Sequence, residues 1–81
     1  MVIETLDDIE DFARETYSGL EIHNMTGDGY VKLTNGSGGH EVRISINDDH
    51  LKLVGIKFGE KIDTRCGKTV EELEKTLSKT L

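Results

Sequence analysis

The sequence has no proline, no tryptophan and one cysteine among its 81 residues. A single cysteine cannot form an internal disulfide, so Cys66 indicates a reducing compartment, and we expect the protein in the cytoplasm. Stability then has to come from the core. A chain of this length buries roughly 60% of the surface that its unfolded form exposes, which suffices for one modest core. We therefore expect one α+β domain over residues 1–81.

Long apolar runs are also missing. No run approaches the roughly 20 residues that a membrane-spanning helix needs, and the acidic N-terminal segment MVIETLDD lacks the basic stretch that opens a signal peptide. Hydrophobic residues make up 35% of the chain and charged residues 32%, which is too apolar and too regularly patterned for a disordered chain. The sequence predicts a folded protein with no membrane partner.

Basic residues are scarce in the first third of the chain. Residues 1–30 contain eight acidic residues and one basic residue, Arg14, whereas residues 31–81 contain nine basic and eight acidic ones. The net charge of −6 therefore originates in the first third. Segregated charge favours a charged partner. It is equally the ordinary pattern of a solvated helix, and both interpretations stay open.

Helical periodicity marks both ends of the chain. In the first helix, Thr5 suits the N-cap, Asp7 and Asp8 favour the helix dipole, and Gly19 suits the C′ position. Its apolar positions are Leu6, Ile9, Phe12, Ala13, Thr16 and Tyr17. Thr69-Val70-Glu71-Glu72 predicts a capping box for the last helix. The apolar stripe of that helix is Val70, Leu73, Leu77 and Leu81.

The segment between the helices alternates apolar and polar residues, which predicts β-strands. The strands are separated by four turn signals: Gly27-Asp28 in a type II′ turn, the loop Gly36-Ser37-Gly38-Gly39, Asp48-Asp49, and Gly59-Glu60 between strands 51–58 and 61–66. A meander through these turns pairs apolar residues with each other on one face. The pairs are Ile22/Leu33, Leu33/Val42, Val31/Ile44, Ile44/Leu53 and Ile46/Leu51. A one-residue slip would move each strand's side chains to the other face, so the agreement of these pairs supports the register. We therefore predict a two-layer α-β-β-β-β-β-α fold. Its antiparallel sheet has four or five strands, and both helices cover the apolar face.

The same register assigns a mixed set of side chains to the opposite face of the sheet. They are His23, Met25, Tyr30, Lys32, Arg43, Lys52, Val54, Ile56, Phe58, Lys61, Asp63 and Arg65. Val54, Ile56 and Phe58 would be apolar and uncovered there, unless a bulge near Gly55 turns them inward. If they stay outside, they form a binding or dimerisation patch.

No motif predicts catalysis or a cofactor. Gly67-Lys68-Thr69 has the end of a P-loop, but Ile62 replaces the glycine that should stand five residues earlier, so Thr69 is interpreted as a helix cap. Asn24, Thr26 and Asp28 echo a calcium loop that ends in Asn35 instead of glutamate. His23, His40 and His50 have no ligand spacing. We therefore expect a protein that is not an enzyme and has no metal site and no cofactor.

The first helix carries the most suggestive charge pattern. Asp7, Asp11 and Glu15 are spaced by four residues, with Glu4 and Asp8 nearby, and like charges at this spacing cost a few tenths of a kcal/mol each. Such a stripe could bind a basic surface as a nucleic-acid mimic, or serve only for solubility. In size and acidity the chain resembles small inhibitor proteins encoded by phages and mobile elements, including anti-CRISPR proteins, although no motif carries the resemblance. The leading hypothesis is an inhibitor that binds a basic protein or a protein–nucleic-acid complex through this helix.

The alternative hypothesis uses the uncovered face of the sheet. Lys32, Arg43, Lys52 and Arg65 with Tyr30 and Phe58 would bind single-stranded nucleic acid through phosphate contacts and stacking. Val54, Ile56 and Phe58 would instead support a homodimer.

Overall fold

The computed structural model describes residues 1–35, 39–57 and 59–80. Two helices flank five strands: α1 Leu6–Thr16, β1 Glu21–Met25, β2 Tyr30–Asn35, β3 His40–Ile46, β4 Leu51–Lys57, β5 Glu60–Cys66 and α2 Val70–Thr80. The strands form one antiparallel sheet in the order β1-β2-β3-β4-β5. The predicted antiparallel meander of four or five strands between terminal helices is confirmed, and it has five strands.

Helix α1 begins as its sequence predicts. The Thr5 hydroxyl accepts from the Asp8 backbone N–H, and Oδ2 of Asp8 accepts in return from the Thr5 N–H, which closes a capping box. The helix buries Ile9, Phe12 and Ala13 against the sheet. In α2, the Thr69 hydroxyl accepts from the Glu72 N–H at 3.2 Å. The predicted capping residues therefore start both helices.

All five predicted cross-strand pairs are present, so the predicted register is confirmed. Their side chains join those of both helices in one core. The buried members are Ile3, Ile9, Phe12, Ala13, Val31, Leu33, Val42, Ile44, Leu51, Leu53, Leu73 and Leu77. Cys66 packs against this cluster, as expected of a small core residue. Both helices lie on the same face of the sheet, and the molecule has two layers.

The N-terminal segment was not predicted to belong to the core. Val2 forms an antiparallel bridge with Thr69, and the Ile3 N–H donates to the Lys68 carbonyl at 2.8 Å. Ile3 is fully buried, whereas Val2 is 59% exposed. The N-terminal segment therefore packs beside the beginning of α2.

Three predicted turn details are wrong. Gly27-Asp28 is not a two-residue type II′ turn, because Thr26–Asp28 form a 3₁₀ turn and the left-handed residue is Gly29, with φ 84°. Tyr17 ends α1 in an extended conformation, and Gly19 has no positive φ, so it is not a left-handed C′ glycine. Lys57 pairs with Glu60, which moves the last hairpin turn one residue earlier than predicted. These differences leave the register intact, because the strand pairing is decided by the buried faces. The predictions for Gly36 to Gly38 and for Leu81 lie outside the described residues.

Candidate binding surfaces

The sheet face opposite the helices is the first candidate surface. Both helices pack on the other face, so its outward side chains lie open. We define the open-face patch as Tyr30, Lys32, Arg43, Lys52, Val54, Ile56 and Arg65. The register places all seven on the predicted face. Phe58, which was predicted with them, lies outside the described residues.

The open-face patch contains two pairs of like charges. Lys32 lies directly opposite Arg43 across β2 and β3, and Lys52 lies directly opposite Arg65 across β4 and β5. Like charges in directly opposed positions destabilise an antiparallel pair. The sheet therefore places four cations in two directly opposed pairs.

Arg43 is the most constrained of these cations. Its guanidinium lies over the Tyr30 ring, 5.1 Å from the centroid, and its Nε donates to Glu41 Oε2 at 2.7 Å. This hydrogen bond and the negative charge of Glu41 raise the pKa of Arg43. One face of the Tyr30 ring is therefore already occupied by a cation.

The centre of the patch is apolar and slightly concave. Val54 and Ile56 are half-buried and line a depression of about 430 Å³ together with Tyr30, Arg43 and Lys52. Strand β4 pairs residue by residue with both of its neighbours through Gly55. The bulge that was considered as an alternative is therefore not formed, and Val54 and Ile56 stay on the open face.

The acidic side of α1 is the second candidate surface, and part of it is used within the molecule. Oδ2 of Asp8 accepts from the backbone N–H groups of Glu4 and Thr5, which lowers the Asp8 pKa. Oδ1 of Asp7 accepts from Asn24 Nδ2 at 2.8 Å. Within residues 1–35, 39–57 and 59–80, the exposed carboxylates of Asp11 and Glu15 make no ion pair. Of the five residues of the predicted stripe, Asp7 and Asp8 thus accept hydrogen bonds within the molecule, although Asp7 stays exposed.

From the sequence, Asn24 is interpreted only as part of a calcium-loop echo, and its structural role in β1 is missed. Its amide bonds both Asp7 and Glu10, and Glu10 also binds Arg14 Nη2 at 2.8 Å. The hydrogen bond from Asn24 and then the one from Arg14 lower the pKa of Glu10. A polar residue at an inward strand position is the signal that could have revealed this link.

Within residues 1–35, 39–57 and 59–80, the remaining reactive side chains form no recognisable reaction centre. His50 Nδ1 lies 2.6 Å from Asp49 Oδ1 in the β3–β4 loop, while burial raises the pKa of the Cys66 thiol and so disfavours the thiolate that nucleophilic chemistry needs. Among the described residues, no three His, Cys, Asp or Glu side chains are grouped closely enough to hold a metal ion. The part of the chain that the structure describes also contains no helix long and apolar enough to cross a membrane.

Comparisons of the chain with protein-family models, with curated proteins and with solved structures find no match. Function has to be argued from the two surfaces alone.

Proposed function

We propose that the chain is a non-enzymatic binding module whose open-face patch contacts a protein partner. The proposal is carried by the two pairs of directly opposed cations, Lys32/Arg43 and Lys52/Arg65. A partner with carboxylates around an apolar centre would neutralise these cations and cover Val54 and Ile56. The single, half-buried thiol of Cys66 supports action in the reducing cytoplasm.

The composition of the patch supports a protein partner more than a nucleic acid. Protein interfaces combine an apolar centre with a polar, solvent-exposed rim, and aliphatic Val54 and Ile56 fit that centre. Single-stranded nucleic acid is bound on aromatic stacking platforms. Among the described residues of this face, Tyr30 is the one Phe, Tyr or Trp side chain, and Arg43 already lies on it. The net charge of −6 also opposes association with a polyanion.

A face-to-face homodimer through this patch is less favoured. Two copies would bring Lys32, Arg43, Lys52 and Arg65 of each subunit toward the same cations of the other. This arrangement adds repulsion instead of removing it.

The acidic side of α1 supports a second candidate function, an inhibitor of a basic, nucleic-acid-binding protein. The supporting observation is that Asp11 and Glu15 are exposed and make no ion pair among the described residues. They lie one turn apart on the same side of α1. A basic partner could bind both carboxylates together.

Affinity capture from host lysate distinguishes the two candidate functions. The baits are the unchanged chain and two charge-reversed variants. The open-face bait carries Lys32→Glu and Lys52→Glu, which places each new carboxylate opposite Arg43 or Arg65 and should preserve folding. The matched control carries Asp11→Lys and Glu15→Lys, with the same number of charges reversed on α1. Captured proteins are quantified by mass spectrometry.

Loss of a captured protein from the open-face bait, with retention by the α1 bait, supports the proposal. The reverse result assigns binding to α1 and rejects the open-face patch. A filter-binding assay with labelled single-stranded oligonucleotides completes the test. Retention of the oligonucleotide that depends on Lys32 and Lys52 would replace the protein partner with a nucleic acid.

A further inference from the structure

Strand β5 is an open edge of the sheet. It pairs with β4 alone, and among the described residues no backbone hydrogen bond from another segment reaches residues 60–66. The N-terminal segment pairs with Lys68 to Val70, beyond the end of this strand. This regular edge of seven residues therefore includes unpaired backbone groups, which form a template for another strand.

The pairing with β4 shows which residues direct their backbone outward. Because Lys57 and Glu60 flank a two-residue turn, their backbone groups form hydrogen bonds with each other. Every second residue of β5 from Glu60 onward also forms its backbone hydrogen bonds with β4. The intervening residues, Lys61, Asp63 and Arg65, direct their N–H and C=O groups away from the sheet. These three residues would form the hydrogen-bonded pairs with an added strand.

The side chains of β5 are complementary to those of a second antiparallel copy. In a pairing centred on Ile62, Lys61 lies opposite the partner's Asp63, and symmetry repeats this pair on the other side. Ile62, which is 45% exposed, lies opposite the partner's Ile62 and covers it. A pairing centred on Asp63 instead brings two carboxylates together and places Lys61 against the partner's Arg65. The charges thus disfavour the register centred on Asp63, although charged edges generally discourage pairing. A pairing centred on Thr64 would also place Asp63 opposite Arg65, but Ile62 would then face Cys66, so the contact between the two Ile62 side chains favours the register centred on Ile62.

We propose that the chain forms a symmetric homodimer in which two β5 strands pair antiparallel about Ile62 and join two five-stranded sheets into one. A two-fold interface of this kind closes on itself, so assembly stops at two subunits. The inference rests on the edge of the sheet and is independent of the function proposed for the open-face patch.

A charge exchange tests the pairing. Lys61→Glu and Asp63→Lys each replace two attractive contacts in the dimer with two repulsive ones, so each should weaken dimerisation about tenfold. The double variant restores opposite charges and should return the dissociation constant to that of the unchanged protein. Analytical ultracentrifugation measures the constants, and circular dichroism checks that each monomer is folded. An unchanged protein that stays monomeric at the highest accessible concentration, or single variants that dimerise normally, would overturn the proposal.

Disulfide trapping tests the register. In a Cys66→Ala background, Ile62→Cys places two thiols across a non-hydrogen-bonded pair. Their Cα atoms would be about 4.5 Å apart, within the range that a disulfide spans. Thr64→Cys is the matched control, because residue 64 faces the partner's Glu60 in this register. We expect a covalent dimer on a non-reducing gel for Ile62→Cys and not for Thr64→Cys. Cross-linking of Thr64→Cys alone would overturn the register centred on Ile62.

Discussion

The side-chain amide of Asn24 donates to Oδ1 of Asp7 at 2.8 Å and so joins the edge strand β1 to helix α1. The same amide reaches Glu10 Oε1 at 3.1 Å. One neutral residue therefore binds two of the carboxylates that make α1 acidic. Two carboxylates of this helix therefore have a structural role within the molecule. For this reason we base the proposed function on the open-face patch.

Replacing Asn24 should loosen this link. We expect Asn24→Ala to lower the free energy of unfolding by about 1 kcal/mol at neutral pH, because two hydrogen bonds to carboxylates are lost. The folded-state pKa of Glu10 is lowered. The contribution of the Glu10 carboxylate to folding stability is therefore present above the ordinary carboxyl pKa, and it disappears as the pH falls through the folded-state pKa. The difference between the variant and the unchanged protein should shrink when the pH is lowered from neutral to an acidic value below the ordinary carboxyl range.

Urea denaturation at both pH values measures this difference, and NMR titration of the Glu10 carboxyl carbon reports the pKa directly. Asn24→Asp is the sharper companion, since it places a third carboxylate beside Asp7 and Glu10 and should destabilise the protein more than alanine does at neutral pH. Equal effects of alanine and aspartate would contradict the assigned contacts.

The sheet could be predicted from the sequence, but the contacts that attach the N-terminal segment and strand β1 to the rest of the fold could not. Alternation determines which side of each strand is buried, so pairs such as Ile44/Leu53 follow from local pattern alone. The positions of Ile3 and Asn24 depend on contacts with distant segments, which no periodicity records. Asp7 and Asp8 show the same limit at the candidate site: their charge is evident in the sequence, whereas the donors that bind them are not.

Ile3 provides a direct test of the unpredicted N-terminal contact. Ile3→Ala should lower the free energy of unfolding by about 2–4 kcal/mol, because a fully buried aliphatic side chain leaves a cavity. Val2→Ala is the matched control in the same segment. Its side chain is 59% exposed, so we expect a change below about 0.5 kcal/mol. Denaturant midpoints measure both variants, and similar midpoints would mean that the segment does not enter the core.

The corrected β1–β2 turn predicts opposite outcomes for two neighbouring glycines. Gly29 has φ 84°, so Gly29→Ala should cost about 1 kcal/mol of folding stability through left-handed strain. Gly27 lies in the 3₁₀ turn without a positive φ, and an added Cβ meets no atom within 4 Å. Gly27→Ala should therefore be neutral or slightly stabilising. Thermal unfolding distinguishes the two, and a type II′ turn at Gly27-Asp28 would give the reverse order.

The opposed cations of the open-face patch predict a gain in stability when one is removed. Lys52→Thr eliminates the repulsion with Arg65 and introduces a residue of high β-propensity, so we expect the free energy of unfolding to rise by a few tenths of a kcal/mol. High salt, at about 1 M, should reduce the gain because it screens the repulsion in the unchanged protein. Chemical denaturation by urea at low and high sodium chloride measures both effects.

Lys57→Thr is the control for this prediction, because Lys57 lies opposite Glu60 on the same pair of strands. The same replacement there gives the same gain in β-propensity but removes an attraction between opposite charges, so it should stabilise the protein less than Lys52→Thr or destabilise it. A stabilising Lys52→Thr beside a destabilising Lys57→Thr would mean that the sheet retains Lys52 against its own stability, as expected of a residue kept for binding. If both variants are destabilised alike, Lys52 and Arg65 do not repel each other, and the main support for the open-face patch is lost.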